Sequence, residues 1–157
     1  MLKKDLIELN RVFGILAKSG STKFKYAVLK NADKIKSSIE ILLNIEKEIN
    51  EAITPYEEDR VALIRRLGKA DESGNISVDL KDELVAREFQ EEFQKLLDKH
   101  KEILDVYQAK VAEYQEFLSE PLTEEFKFKA LSINDFPETG INTEDLELLE
   151  NYKLIKE

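Results

Sequence analysis

Residues 23–56 read KFKYAVLKNADKIKSSIEILLNIEKEINEAITPY, and this stretch decides the fold. Ten residues of low polarity, from Phe24 to Tyr56, recur in steps of three or four with a mean of about 3.6, the period of one helix face. A second stripe, from Val85 to Leu118, has nine apolar residues and His100 at the same period. Two such stripes joined by a short, turn-rich segment predict a long antiparallel helical hairpin of coiled-coil type.

The other segments complete a mainly α fold, which we expect to be one domain over residues 1–157. An N-terminal helix is predicted at 2–18, the two helical segments of the hairpin at 22–68 and 80–119, and a strand with a short acidic helix at 120–157. Thr54 followed by Pro55 predicts a helix restart with Thr54 as N-cap, and Asn142 or Thr143 is expected to cap the last helix. Phenylalanine and lysine alternate within 125–130, which predicts a strand. Pairing with 76–78 would give a small two-stranded β element.

The composition excludes several classes of protein. The chain of 157 residues has no cysteine, so disulfides, thiolate nucleophiles, zinc ribbons and iron–sulfur clusters are excluded. No run approaches the roughly 18 apolar residues of a membrane span, and residues 1–5 lack the pattern of a signal peptide. We therefore expect a cytoplasmic protein without membrane contact, and the absence of nucleotide-binding fingerprints predicts no cofactor.

The net charge of -9 is unevenly distributed. Residues 1–36 carry a net charge of +6, and the remaining residues carry -15. Three interpretations of the basic region stay open: a solvated helix face, a surface that docks the acidic tail of another subunit, or an anion site near a helix N-terminus. The candidate anion-binding residues are Lys23, Lys25, Tyr26, Lys30 and Asn31. Duplex nucleic acid is disfavoured, because duplex binding needs an extended basic face.

Catalysis has little support in the sequence. His100 is the only imidazole, and its position between Leu96 and Ile103 predicts a packed, hydrogen-bonded residue that faces the partner helix. No E-x-x-H spacing or serine elbow accompanies it. We therefore expect a non-enzymatic protein. Apolar residues outside the two main stripes, including Leu43, Leu97 and Leu104, predict a homo-oligomer.

The run KFKYAVLKNADKI at 23–35, the DESGN turn at 71–75 and INTEDL at 141–146 resemble small helical proteins encoded by bacteriophages and prophages. The resemblance implies a setting in the host cytoplasm. It implies a binding protein that counteracts bacterial defence, either by sequestering a signal nucleotide or by binding a defence protein. The alternative is a role in particle assembly, as a chaperone or a structural interaction protein. The resemblance assigns no functional residue in this chain.

Overall fold

The computed structural model describes residues 1–156 and is mainly helical, as predicted. The helices are α1 (Lys3–Leu16), α2 (Thr22–Glu51), α3 (Thr54–Leu67), α4 (Glu83–Lys99), α5 (Lys101–Leu118) and α6 (Thr143–Asn151). The strands are β1 (Lys69–Ala70), β2 (Ile76–Ser77), β3 (Leu131–Ser132) and β4 (Ile155–Lys156). Among residues 1–156, no helix is both long enough and apolar enough to cross a membrane.

The chain divides into two compact units, and the boundaries between them fall inside α2 and α5. The first unit comprises Met1–Ile45 and the chain from Tyr114 onward. Its core consists of apolar side chains that are at most 4% exposed, chiefly from α1, α2, β3 and α6: Leu6, Leu9, Val12, Phe13, Leu16, Phe24, Val28, Ile35, Ile39, Leu42, Leu131, Leu149 and Leu154. Several of these residues lie on the predicted helix faces.

The N-terminus of α6 is fixed by Asn142 and Asp145. Asn142 Oδ1 accepts from the Asp145 backbone N–H at 2.8 Å, and Asp145 Oδ2 accepts from the Asn142 N–H at 3.0 Å. This reciprocal capping box satisfies two N–H groups that the helix itself leaves unpaired. Asp145 is 3% exposed and also pairs with Arg11 of α1. The predicted cap at Asn142 is confirmed.

The second unit, Glu46–Glu113, contains the turn of the helical hairpin. The helices on the two sides of this turn run antiparallel, because Asn50 contacts Tyr107, Asp59 contacts His100, and Arg66 contacts Glu92. The core of this unit is smaller and consists of Tyr56, Leu63 and Leu96 with partly buried neighbours such as Phe89 and Phe93. In the first unit, the Tyr114 hydroxyl donates to the Leu42 carbonyl at 3.0 Å, so these parts of α5 and α2 are also in contact.

Two helix boundaries differ from the predictions. A restart near Thr54 is present, but Thr54 is the first residue of α3 and Ile53 occupies the N-cap without a side-chain cap bond. The second helical segment of the predicted hairpin, 80–119, is interrupted at His100, whose backbone angles (φ -105°, ψ 14°) leave the helical range. Apolar periodicity did not reveal the interruption, because His100 keeps its place in the stripe.

The predicted pairing of 125–130 with 76–78 is wrong. β2 pairs antiparallel with β1, and β3 pairs parallel with β4, whereas 125–130 contains no strand. The local turn explains the first pairing: Asp71 Oδ1 accepts from the N–H groups of Ser73 and Asn75 at 2.8 and 2.9 Å. Gly74 adopts φ +81°, which closes this turn without steric cost.

Candidate anion-binding surface

A segment without regular secondary structure, residues 124–130, lies against α2, and we call it the arm. Asn31 makes two hydrogen bonds to the backbone of Lys129: Nδ2 donates to its carbonyl at 2.8 Å, and Oδ1 accepts from its N–H at 2.7 Å. One turn further along, Lys34 Nζ donates to the Lys127 carbonyl. Ser38 then donates to Glu124 at 3.1 Å. Three side chains of α2 therefore attach the arm to this helix.

Lysines from α2 and from the arm lie close to the aromatic ring of Tyr26. The ammonium group of Lys129 lies 5.2 Å from the Tyr26 ring centroid, and that of Lys30 lies 5.8 Å from it. Both distances fall within the range of cation–π attraction, about 0.5–1 kcal/mol at an exposed site. The Tyr26 residue is 56% exposed, so this arrangement is open to solvent. Two ammonium groups from distant parts of the sequence thus lie within 6 Å of the centroid of one ring.

Helical spacing extends this arrangement into a row. Lys23, Tyr26, Lys30 and Lys34 follow each other in steps of three, four and four, so they share one face of α2. All four are exposed. Together with Lys127 and Lys129 they form what we call the basic surface. Acids also lie close to it: Glu124 and Glu125 of the arm, and Asp33, which pairs with Lys30 at 3.6 Å through two exposed side chains, an interaction of about 0–1 kcal/mol.

The predicted site residues fall in three different places. Lys23, Tyr26 and Lys30 lie on the basic surface. Lys25 lies one position before Tyr26 in α2, so its side chain is rotated by about 100° around the helix axis from that of Tyr26. Asn31 is 0% exposed, and both atoms of its amide group bond to Lys129.

Sequence reasoning did not include Lys127 and Lys129 in the candidate site. The usable signal was the alternation FKFK at 126–129, which places positive charges at two alternate positions of the arm. A second signal was Asn31 itself. It is spaced three residues from Val28 and four from Ile35, both buried, so an apolar stripe contains a polar side chain that requires a partner.

A cluster in the second unit surrounds His100. One oxygen of Asp59, Oδ2, lies 2.7 Å from His100 Nε2 and 2.6 Å from Lys99 Nζ. These hydrogen bonds, first that from Lys99 and then that from His100, lower the pKa of Asp59 below its ordinary value. His100 is 6% exposed and packs edge-on against Tyr56 with a centroid separation of 6.0 Å. The prediction of a packed, hydrogen-bonded histidine is confirmed.

The structure supplies no grouping of metal ligands. Over residues 1–156, no set of three or more histidine or carboxylate side chains is arranged to hold a metal ion. The chain thus has a helical fold with a lysine-rich surface around an exposed tyrosine. Comparisons with family models, curated proteins and solved structures found no match to this chain.

Proposed function

We propose that this chain is a non-enzymatic binding protein whose basic surface takes a small phosphorylated ligand. The observation that carries the proposal is the position of Lys30 and Lys129 around the ring of Tyr26. A phosphate group has several acceptor oxygens and is bound best by more than one cation. Each lysine contributes a mobile ammonium group with three donors. A phosphate near Tyr26 would therefore receive donors from α2 and from the arm.

The extent of the surface favours a small ligand over a duplex. Five lysines, Lys23, Lys30, Lys34, Lys127 and Lys129, are concentrated on one helix face and one short segment. The chain as a whole carries a net charge of -9. A long polyanion would meet the acidic remainder of the protein, whereas a nucleotide would contact only the basic surface.

The resemblance to phage proteins gives the ligand a biological setting. In this proposal the protein acts in the cytoplasm of an infected bacterium and binds a signal nucleotide of the host's defence. Stoichiometric binding would lower the concentration of free signal without any chemical step. Such a function needs affinity and abundance, and it needs no catalytic group.

A second candidate function is protein binding, and exposed apolar residues on α2 favour it. Leu29 is 54% exposed, Ile41 is 60% exposed and Leu43 is 47% exposed. Covering such side chains stabilises a complex by about 25 cal/mol for each Å² of apolar surface removed from water. The partner would be a defence protein, a particle-assembly protein or a second copy of this chain.

Calorimetric titration of the purified chain with cyclic oligonucleotides and ADP-ribose-type nucleotides tests the first proposal. We expect saturable heat with at least one of these ligands. The double variant Lys30→Gln/Lys129→Gln should weaken its binding by at least about a hundredfold, because each charged hydrogen bond contributes about 1.5–3 kcal/mol. The matched control Lys81→Gln/Lys110→Gln removes the same charge from exposed positions in the second unit.

The control variant should bind like the unmodified chain, which separates a local site from a general effect of net charge. Heat with none of the nucleotides, or equal weakening in both double variants, would overturn the nucleotide proposal. Protein binding predicts a different pattern. Ile41→Asp/Leu43→Asp should abolish capture of a partner, whereas Lys30→Gln/Lys129→Gln should leave capture intact.

A further inference from the structure

A cavity of about 380 Å³ lies in the first unit and is lined by residues of the arm. Three aromatic side chains contribute to its wall, Phe126, Phe128 and Tyr152, together with Met1 and Leu122. The rings of Phe126 and Phe128 are nearly parallel, at 23° and 5.9 Å between centroids. Phe13, which is 1% exposed, packs edge-on against Phe128. The wall is therefore anchored to the core of the unit.

The arm connects this cavity to the basic surface. Phe126 and Phe128 are half-buried, whereas the alternating residues Lys127 and Lys129 are exposed. Lys127 also lines the cavity, and its carbonyl is the group that Lys34 binds. Two residues of chain span at most about 7 Å, so Lys127 and Lys129 lie within the length of one nucleotide. Lys127 belongs to both the cavity lining and the basic surface, so a ligand with its ring in the cavity would meet the basic surface first at this residue.

The rim of the cavity supplies hydrogen-bond acceptors. Glu124 and Glu125 both line it, and Glu124 already accepts from Ser38. The Tyr152 hydroxyl donates its hydrogen to Asp5. Its oxygen can therefore act in the cavity only as a hydrogen-bond acceptor. An ionised carboxylate has only acceptors, and it is best matched by a ring that presents adjacent N–H donors. Guanine presents such an edge, with a ring N–H next to an amino group, whereas adenine presents one amino group.

We propose that this cavity holds a guanine-type purine base, with Glu125 accepting from the donor edge and the aromatic side chains packing against the ring. The volume lies in the range of small-ligand sites, about 300–1,000 Å³, and aromatic walls favour planar rings. This inference rests on the proposed function, because it identifies the base of the same nucleotide whose phosphates would bind to the basic surface. It adds selectivity for the base to the binding of the phosphates.

The test compares three probes with related phosphate groups: GDP, ADP and inorganic pyrophosphate. Calorimetry on the full chain should show that GDP binds about tenfold more tightly than ADP. The affinity of GDP should exceed that of pyrophosphate by a larger factor. Glu125→Gln should remove most of the preference for GDP over ADP, because it replaces the charged acceptor. Glu138→Gln, at another exposed position of the same unit, is the matched control and should change nothing.

A spectroscopic readout reports on the cavity itself. The chain contains a single methionine, Met1, and it lines the cavity. Labelling the methionine methyl group with ¹³C therefore gives one resonance from this place. GDP should shift it through the ring current of the base, and pyrophosphate should leave it unchanged. The Phe126→Leu variant should lose affinity for GDP and keep its affinity for pyrophosphate.

The possible outcomes separate the two proposals. If pyrophosphate and GDP bind equally and the Met1 signal does not move, the cavity inference is overturned and the basic surface remains an anion site. If ADP binds as tightly as GDP, guanine selection is overturned. If none of the three probes binds while a cyclic oligonucleotide or an ADP-ribose-type nucleotide does, this inference is overturned and the nucleotide proposal stands. GDP preference with a shifted Met1 signal supports the base site.

Discussion

The side-chain amide of Asn31 pairs with the backbone of Lys129 through two hydrogen bonds, across a sequence separation of 98 residues. In this contact the amide uses one N–H donor and its oxygen acceptor, which is the pair of groups that a neighbouring strand would offer. Asn31 therefore fixes the position of Lys129, and Lys129 then reaches the ring of Tyr26. A buried helix residue determines where an exposed lysine of the basic surface lies.

Replacing Asn31 with alanine should detach the arm. The change leaves the backbone N–H and carbonyl of Lys129 without their partners, which costs about 1–3 kcal/mol of unfolding free energy. It should also speed cleavage by trypsin after Lys127 and Lys129, because a detached arm is accessible to the protease. Urea unfolding and timed proteolysis measure the two effects.

Asn44→Ala is the matched control for Asn31→Ala, since Asn44 lies on the same helix and is exposed. Exposed substitutions of this kind stay within about 0.5 kcal/mol. Cleavage of the arm at the same rate in Asn31→Ala and in the unmodified chain would show that Asn31 does not hold the arm.

The helices were predictable because their apolar residues repeat at the helical period over many turns. The stripes that begin at Phe24 and Val85 specify helices, and the short, turn-rich segment between them specifies their antiparallel pairing. The β pairings were not predictable, because each strand has two residues and local turn bonds to Asp71 compete with any distant partner. Short strands have too few side chains to specify a register.

The candidate site was only partly predictable. Tyr26 and Lys30 are four residues apart on one helix, so their proximity follows from the sequence. The partner of Asn31 does not follow from it, because a buried amide is satisfied equally well by many backbone segments. The contribution of Lys129 depends on that long-range contact and becomes visible only in three dimensions.

Two glycines should respond oppositely to alanine. Gly20 adopts φ +81°, and an added Cβ would lie 2.6 Å from the Phe24 ring and 2.8 Å from the Asp135 carbonyl oxygen. Gly20→Ala should therefore destabilise the protein by about 1–3 kcal/mol. Gly14 lies inside α1 with nothing within 4 Å of an added Cβ. Gly14→Ala should stabilise by about 0.5–1 kcal/mol, because alanine is the better helix former.

Thermal unfolding of both glycine variants, with the unmodified chain as reference, gives the sign of each effect. The two shifts in melting temperature should have opposite directions. A rise in melting temperature for Gly20→Ala would contradict the tight approach of Phe24 and Asp135.

The contribution of Asp59 to stability should disappear in acid. Hydrogen bonds from Lys99 and His100 lower its pKa in the folded protein, so the contribution is present above the unfolded value of about 4 and is lost as pH falls through the lower folded value. Asp59→Asn should therefore be less stable than the unmodified chain at neutral pH. The difference should shrink steadily below about pH 4.

Urea unfolding at a series of pH values measures this difference, which cancels the titration of the other carboxylates. Asp105→Asn changes an exposed carboxylate on α5 and serves as control; its difference from the unmodified chain should stay small throughout. A difference for Asp59→Asn that does not change with pH would show that the bonds to Lys99 and His100 do not depend on the charge of Asp59.

Tyr152 should make the protein sensitive to alkali. Burial, followed by the hydrogen bond to Asp5 and the charge of that carboxylate, raises the pKa of Tyr152 to about 12. A raised pKa means that the contribution to stability is complete below the ordinary tyrosine value of about 10 and is lost as pH rises through about 12. Ionisation would also place a phenolate beside Asp5, which caps the first turn of α1 through the N–H of Leu2.

Tyr152→Phe removes the ionisable hydroxyl and keeps the ring. It should cost about 0.5–1.5 kcal/mol at neutral pH, from the lost hydrogen bond, and its stability should fall less steeply than that of the unmodified chain above about pH 10. Tyr26→Phe removes an exposed hydroxyl and should keep the original steepness. Tyrosinate absorbance gives an independent check. Of the signals from the five tyrosines, the one that Tyr152→Phe removes should appear only near pH 12. If the removed signal titrates near pH 10, Tyr152 is not held by Asp5, and the N-terminus of α1 must be fixed without it.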